Sequence, residues 1–349
     1  MLSSLLPLLV DPRTKQRLRV QGQQGDELIE GVLSSDSGNS YRVTHGIPRF
    51  VENRDAGQAQ TMDSFGYKWQ RLDSYASASI RANSTRWLLE RYGFRDVADM
   101  QRFFAARGSV LDAGCGGGYS SSQWLAPDWQ QGGDAQWIGA DISSAIDVAR
   151  GRLGQIPGTH FLQADLMQLP FAAGSFGAIF SEGVLHHTPS TRAALLALAP
   201  LLARGGQLLF YVYKRKGPIR EFTDDYVRNV IAELPPDRAW EALRPLTRLG
   251  EALASLKVEV DVPEDIPYLG IRAGRQDVQR LIYWSIAKLY WNDGLSFEEN
   301  HHVNFDWYHP RYAHRQSEEE VRSWCAEAGL SIVRFDVQES GFTVRADRN

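Results

Sequence analysis

The stretch Val110-Leu-Asp-Ala-Gly-Cys-Gly-Gly-Gly-Tyr119 decides the fold. A short apolar run turns at Gly114, Gly116 and Gly118 into small residues that open a predicted helix over Ser120 to Leu125. A strand-to-helix turn of this kind needs positive φ and lets backbone come close to a ligand, and glycine permits both. The turn alone does not name the ligand. A dinucleotide fingerprint needs a glycine three residues after Gly116, where Tyr119 stands, and no Gly-Lys-Ser/Thr follows to make a triphosphate loop.

Downstream of the turn, strands and helices alternate. VLDAG, QWIGAD, THFLQAD, FGAIFS and QLLFYVY read as strands, and SSAIDVARGRLG and TRAALLALAPLLA read as helices between them. This alternation predicts a parallel sheet with helices on both faces and a ligand at the carboxyl ends of the strands. Residues 214–316 break the pattern. RQDVQRLIYWSIAKLYW places Val278, Leu281, Ile282 and Ile286 on one stripe, and the segment closes with HHVNFDWYHPRY, in which His301 and His302 read as exposed loop residues. An insertion of this size predicts a cap over the site. Beyond it, Ser317 and Glu320 form a capping box for VRSWCAEA, Gly329 closes that helix, and two strands follow.

Upstream of the turn, residues 84–105 read as one amphipathic helix. Phe65 to Tyr75 is dense in aromatics, with Phe65 and Trp69 at helical spacing; core packing and a lid are both open readings. Residues 1–51 carry short β-rich runs punctuated by glycine, which suggests a small hairpin module.

Composition narrows the function classes. The 349 residues are 43% hydrophobic and 23% charged, as in a soluble globular protein. A net charge of -4, with no long Lys/Arg run, argues against a nucleic-acid partner. MLSSLLPLLV lacks the basic flank and cleavage site of an export signal, and no stretch reaches the ~18 apolar residues of a membrane span. Only Cys115 and Cys325 are present, too few for a disulfide framework or a cysteine zinc site, so a cytoplasmic location and no bound metal are expected.

VLDAGCGGGY, IGADIS, ADLMQLPF, FSEGVLHHT and ARGGQLLFYVY resemble, in order, the motifs of class I S-adenosylmethionine-dependent methyltransferases. More narrowly, they resemble the branch that includes the ubiquinone and menaquinone C-methyltransferases. The resemblance implies an α/β fold, a Rossmann-like seven-stranded doubly wound sheet built from 108–213 and 317–349. Around it stand a β-rich module over 1–55, a helical linker or lid over 56–107 and a mainly helical cap over 214–316. The first module resembles the zinc-ribbon-like segment that precedes many bacterial methyltransferases, with Asp11, Thr14, Ser34 and Ser37 where cysteines would stand. Hydroxyls do not make a soft tetrahedral zinc site, so a metal-free remnant held by its apolar positions is expected.

The same resemblance implies S-adenosylmethionine as cofactor. Asp141 would accept from the ribose hydroxyls, beside Ile142, or else cap the next helix; Asp165 would accept from the adenine amino group, with Leu166 against the ring. Asp112, Gly114, Gly116, Gly118 and Tyr119 form the turn, and Ser181 and Glu182 stand beside the methionyl part. His186 and His187 are candidate bases, or else shape the wall beneath the methyl group. Phe65, Tyr67, Trp69, Tyr213, Trp307, Tyr308 and Arg311 are candidate acceptor contacts, with cap docking an equal reading for the last three. The leading expectation is methyl transfer to a small molecule under the cap. A macromolecular acceptor (tRNA or protein), a non-methylating enzyme on the same fold and a binding-only protein are the rivals; the acceptor atom and the oligomeric state stay open.

Overall fold

The computed structural model describes residues 1, 3–21, 27–51, 56–71 and 77–349. The end of the aromatic stretch, 72–75, therefore lies outside the described residues. Four short strands open the chain: β1 (Arg19–Gln21), β2 (Gly31–Ser34), β3 (Ser40–Thr44) and β4 (Ile47–Pro48), antiparallel and in sequential order. Three helices follow: α1 (Ala56–Gln70), α2 (Ala78–Tyr92) and α3 (Val97–Ala105). The single helix expected over 84–105 is thus two. Gly93 ends α2 in the left-handed region at φ 75, where a Cβ would meet Arg334, and Asp96 caps α3 through the Asp99 amide.

The alternating region gives β5 (Ser109–Ala113), β6 (Gln136–Asp141), α4 (Ala145–Leu153), β7 (Thr159–Gln163), β8 (Phe176–Glu182), α5 (Thr191–Leu198) and β9 (Leu202–Tyr213). The cap comprises α6 (Pro218–Ile231), α7 (Pro236–Ser255), the hairpin β10 (Glu259–Val262) with β11 (Gly274–Asp277), α8 (Val278–Ser285) and α9 (Phe297–Tyr308). Then α10 (Glu318–Glu327), with both hydrogen bonds of the Ser317/Glu320 capping box, leads into β12 (Leu330–Val337) and β13 (Gly341–Arg348).

The large sheet has the order β12-β13-β9-β8-β5-β6-β7, with β13 antiparallel to both neighbours and the other pairs parallel. This is the Rossmann-like doubly wound arrangement. Helices on both faces bury the central strands, so four successive residues of β5 and of β6 are buried rather than alternating. Because β5 pairs with β6 on one side and β8 on the other, the chain reverses its winding at β5, and the glycine turn leaves the sheet there.

Two local expectations are corrected. Ser120 to Leu125 forms only a 3-10 turn over Ser121–Gln123, because Ser121 is buried under the glycine turn with its hydroxyl on Asp112. In α8 the buried positions include Gln279 and Tyr283, four apart, whereas Ile286 is exposed; Gln279 turns inward because its amide reaches the Leu289 carbonyl at 2.7 Å.

The N-terminal sheet seals the β7 edge. Arg49 bridges Gln163, the Phe50 amide donates to the Gln163 carbonyl at 2.7 Å, and Leu9, Leu33, Tyr41 and Phe50 share one apolar core with Leu162, Leu169 and Phe171. A hydrogen-bonded knot forms around Asp11. The buried Asp11 carboxylate accepts from Ser35 Oγ (2.7 Å), Asn39 Nδ2 (2.9 Å), Tyr41 OH (3.2 Å) and the Arg13 and Thr14 amides. Thr14 and Ser37 join the knot; Ser34 does not, because it ends β2. The module is therefore held by this polar centre as well as by apolar positions. Burial alone would raise the Asp11 pKa, but the bonds from Ser35, Asn39 and the two amides hold it well below the usual carboxylate range. Asp11→Ala should cost about 1.5–3 kcal/mol in urea unfolding at neutral pH. With a depressed folded pKa, this contribution is full above the unfolded value of about 3.9 and fades as the pH falls below it, so wild type and variant should converge in acid.

Candidate active site

A cavity of about 900 Å³ runs from the glycine turn, past the ends of β6 and β8, to the inner face of the cap. Helix α1 crosses it as a strap. At one end Gln58 donates to Asp165 at 2.8 Å; at the other Lys68 pairs with Asp306 of α9 at 2.6 Å. Between them, Phe65 and Trp69 line the cavity.

The turn itself is tightly covered. Gly116 has φ +53, and a Cβ there would lie 2.6 Å from Trp69 Nε1, so glycine is required by the strap lying on the loop. Trp69 also stacks on Tyr119, which lines the cavity. Gly118 faces away from the cavity, onto Leu153 and Ala149 of α4.

Four acids end the neighbouring strands and line the cavity: Asp112, Asp141, Asp165 and Glu182. Asp141 accepts from the Gly116 amide at 2.9 Å and from Ser143 through both its amide (2.8 Å) and its hydroxyl (2.6 Å), which ties the loop to β6. Burial raises its pKa, opposed by those bonds. Asp165 carries one hydrogen bond on each oxygen, from the Met167 amide and Gln58, and keeps an acceptor position on each. Asp112 Oδ2 accepts from Ser121 at 2.6 Å, while Oδ1 takes no hydrogen bond from the described residues; burial, with Asp141 and Glu182 nearby, pushes its pKa up to about 7. Glu182 is different. Oε1 is held by Arg91 and Oε2 by the Tyr92 hydroxyl, both at 2.5 Å, and Arg91 is itself sandwiched between the rings of Trp87 and Tyr211.

The other sequence candidates divide by position. Ile142, Leu166, Tyr213 and Trp307 line the cavity. Ser181 is fully buried and donates to the Ala113 carbonyl, so it pins β8 to β5 rather than facing a ligand. Tyr67 packs on Trp240 and Phe305, Tyr308 bonds Asp224, and Arg311 pairs with Glu233 away from the cavity; these three dock the cap. His186 also misses the cavity: it is fully buried against Tyr213, ring centroids 3.7 Å apart. His187 lines it. Its Nδ1 donates to the Tyr312 carbonyl at 2.6 Å, which fixes the tautomer and leaves Nε2 as acceptor, and burial lowers its pKa to about 4, so the ring is neutral at pH 7. His301 and His302 are buried in α9, not exposed in a loop, and His301 bridges Thr247 and the Trp240 carbonyl. Among the described residues no group of three or more His, Cys, Asp or Glu could hold a metal.

The cations of the cap were not among the sequence candidates. Lys216, Arg220, Arg280 and Lys288 line the far half of the cavity. Burial lowers the pKa of both Lys216 and Lys288 to about 7; Arg220 adds to the effect on each, while Glu221 opposes it on Lys216 and Asp306 and Asp224 oppose it on Lys288. One signal was present: Lys288 interrupts the apolar run Ile286-Ala-Lys-Leu-Tyr-Trp291, where a solvated lysine has no place.

Residues 111–210 match the family model of a methyltransferase domain. The match covers less than a third of the chain. An O-methyltransferase of Penicillium expansum is 38% identical over 104 residues, which are 29% of this chain and 36% of that protein. A tRNA U34 carboxymethyltransferase of Pseudomonas aeruginosa is 36% identical over 102 residues, 29% of this chain and 30% of that protein. The chain thus spans about a third of the length of these relatives. Magnesium protoporphyrin IX methyltransferase from Synechocystis, with bound S-adenosylhomocysteine, aligns over 84% of this chain and all of that one at 17% identity and a TM-score of 0.43.

Proposed function

We propose that this protein is an S-adenosylmethionine-dependent methyltransferase whose acceptor is a small molecule held between the sheet and the cap. The observation that carries this reading is the continuous cavity joining the strand-end acids to an aromatic, cap-lined chamber. The acid end suits the cofactor. Asp112 Oδ1 has no partner, and the only cation paired with these four acids is Arg91, on Glu182, both among the described residues; such a site favours a ligand that brings its own positive charge. When bound, the cofactor supplies a methyl group already activated by a sulfonium.

The protein's own residues then align and exclude water. Asp141 and the Gly116 amide hold the loop in place, and the remaining acceptor positions on Asp141 and Asp165 suit hydroxyl and amino donors. Trp69 covers the turn from the strap, Phe65 packs on His187, and Tyr213 and Trp307 wall the acceptor side. Holding reactants in near-attack geometry can supply ~7–11 kcal/mol of a displacement barrier. For a protonated acceptor, His187 Nε2 is a ring acceptor at the cavity wall, a weak base because burial lowers its pKa to about 4.

The motif resemblance to the quinone C-methyltransferases, the ribbon-like origin of the N-terminal module and a cytoplasmic location, the last supported by two unpaired buried cysteines, belong to the same proposal. Isothermal titration with S-adenosylhomocysteine tests it: wild type should bind, and Asp141→Ala should bind about 10- to 150-fold more weakly, the equivalent of one lost hydrogen bond to a charged group. No binding by folded wild type would overturn the reading. A tRNA acceptor is the second reading, favoured by one relative's substrate; tight tRNA binding at physiological salt would displace the small molecule.

A further inference from the structure

We propose that the acceptor carries an anionic group, a carboxylate or a phosphate on a flat unsaturated body, and that Lys288 seats it with Lys216 beside it. The inference rests on the methyltransferase reading for the word acceptor, and on the cap's charges for everything else. Besides the exposed Arg86 and Arg280, the cavity is lined by Lys68, Arg220 and Lys288, all buried, and the half-buried Lys216; two of these four are already neutralised, Lys68 by Asp306 at 2.6 Å and Arg220 by Asp224 at 2.6 Å. The other two make no ion pair among the described residues; Asp306 and Asp224 act on Lys288 from a distance, and each is already paired with another cation. Lys216 Nζ donates only to the carbonyls of Glu339 and Ser340, and the nearby Glu221 is paired with Arg315. Lys288 is 7% exposed, and its Nζ makes no hydrogen bond or ion pair among the described residues; it lies 4.4 Å from the centre of the Trp307 ring and lines the cavity.

An unpaired ammonium in a buried wall costs stability, whereas an ordinary core position would be filled by an apolar side chain. The chamber recovers that cost when an anion enters. The two lysines belong to the segments after β9 and α8, whereas Asp112, Asp141 and Asp165 belong to the strand ends and carry no ion pair among the described residues. The walls between are rings, Phe65, Trp69, Tyr213, Tyr283, Trp284 and Trp307, which suits a flat body. Burial of the lysines favours a small molecule over a nucleic-acid backbone, whose phosphates need an open basic face.

The test uses the full chain saturated with S-adenosylhomocysteine and titrated with benzoate, benzamide, phenyl phosphate and phenol. Wild type should bind at least one of the two anions, with its neutral partner about tenfold or more weaker, and which anion wins separates carboxylate from phosphate. Lys288→Met should abolish the preference with S-adenosylhomocysteine affinity unchanged, and Lys288→Arg should restore it. The thermal midpoint of unliganded Lys288→Met should not fall, since the variant removes an unpaired buried charge. Equal or absent binding of anions and neutral partners by wild type, or a preference that survives in Lys288→Met, overturns the proposal, as does competition by tRNA that the variant leaves intact. Failure of S-adenosylhomocysteine to bind would instead sink the methyltransferase reading, and the same four titrations without it still decide the charge preference.

Discussion

Glu182→Ala should lower the unfolding free energy by about 3–5 kcal/mol, measured by guanidinium denaturation. Arg91 is fully buried, and among the described residues Glu182 is its one carboxylate partner; removing it strands a guanidinium between Trp87 and Tyr211. The Tyr92 hydroxyl, also fully buried, loses its acceptor at the same time. In the double variant Arg91→Leu/Glu182→Ala, much of the loss should return, because the cost lies in the uncompensated charge more than in the missing pair. S-adenosylhomocysteine affinity, read at a temperature where the variant is folded, should change far less than stability does. The reverse pattern, full stability with binding lost, would make Glu182 a ligand contact after all.

Asp224→Ala should cost a similar amount, about 3–5 kcal/mol, but in the cap. This carboxylate, 1% exposed, accepts from Arg220 Nε at 2.6 Å, Trp307 Nε1 at 2.8 Å, the Tyr308 hydroxyl at 2.8 Å and the Lys288 amide at 3.3 Å. It thereby joins α6, α9 and the segment after α8 at one point. Without it Arg220 is a buried charge with no carboxylate beside it, and Trp307 and Lys288 lose the bonds that aim them into the chamber. Hydrogen exchange should show the cap helices opening ahead of the sheet, while S-adenosylhomocysteine still binds at the strand ends. Unchanged protection in α6 and α9 would refute this account. Asp224→Asn, which keeps acceptor atoms but not the charge, should fall between.

Residues that act through local chain geometry are legible in the sequence. The positive-φ glycines, the acids at the ends of β5, β6 and the strand after α4, and the Ser317 capping box lie within a few residues of the elements they serve, and their chemistry follows from spacing. Residues that act across the chain are not. Glu182 stands at the expected strand end, yet its partners Arg91 and Tyr92 come from α2, some ninety residues earlier in the chain. His186 and His187 are adjacent in sequence, but only His187 faces the cavity, because the Tyr312 carbonyl holds its ring there. The stripe expected for α8 fails since Gln279 finds a carbonyl in the following segment, which no periodicity records.

By itself, then, the sequence determined the sheet and the glycine turn, because these depend on hydrophobic period and φ preference along one continuous stretch, and the order of its motifs gave the cofactor proposal. Only the tertiary structure decided which acids remain available at that turn and which cavity-lining cations are paired. Lys68 and Arg220 come from two helices, Lys216 and Lys288 from two connecting segments, and apart from Lys288 in its apolar run each reads as an ordinary surface cation until folding shows which two form ion pairs. Charge pairing is a property of distances in space, and the cap sets those distances about a hundred residues or more away from the turn it covers.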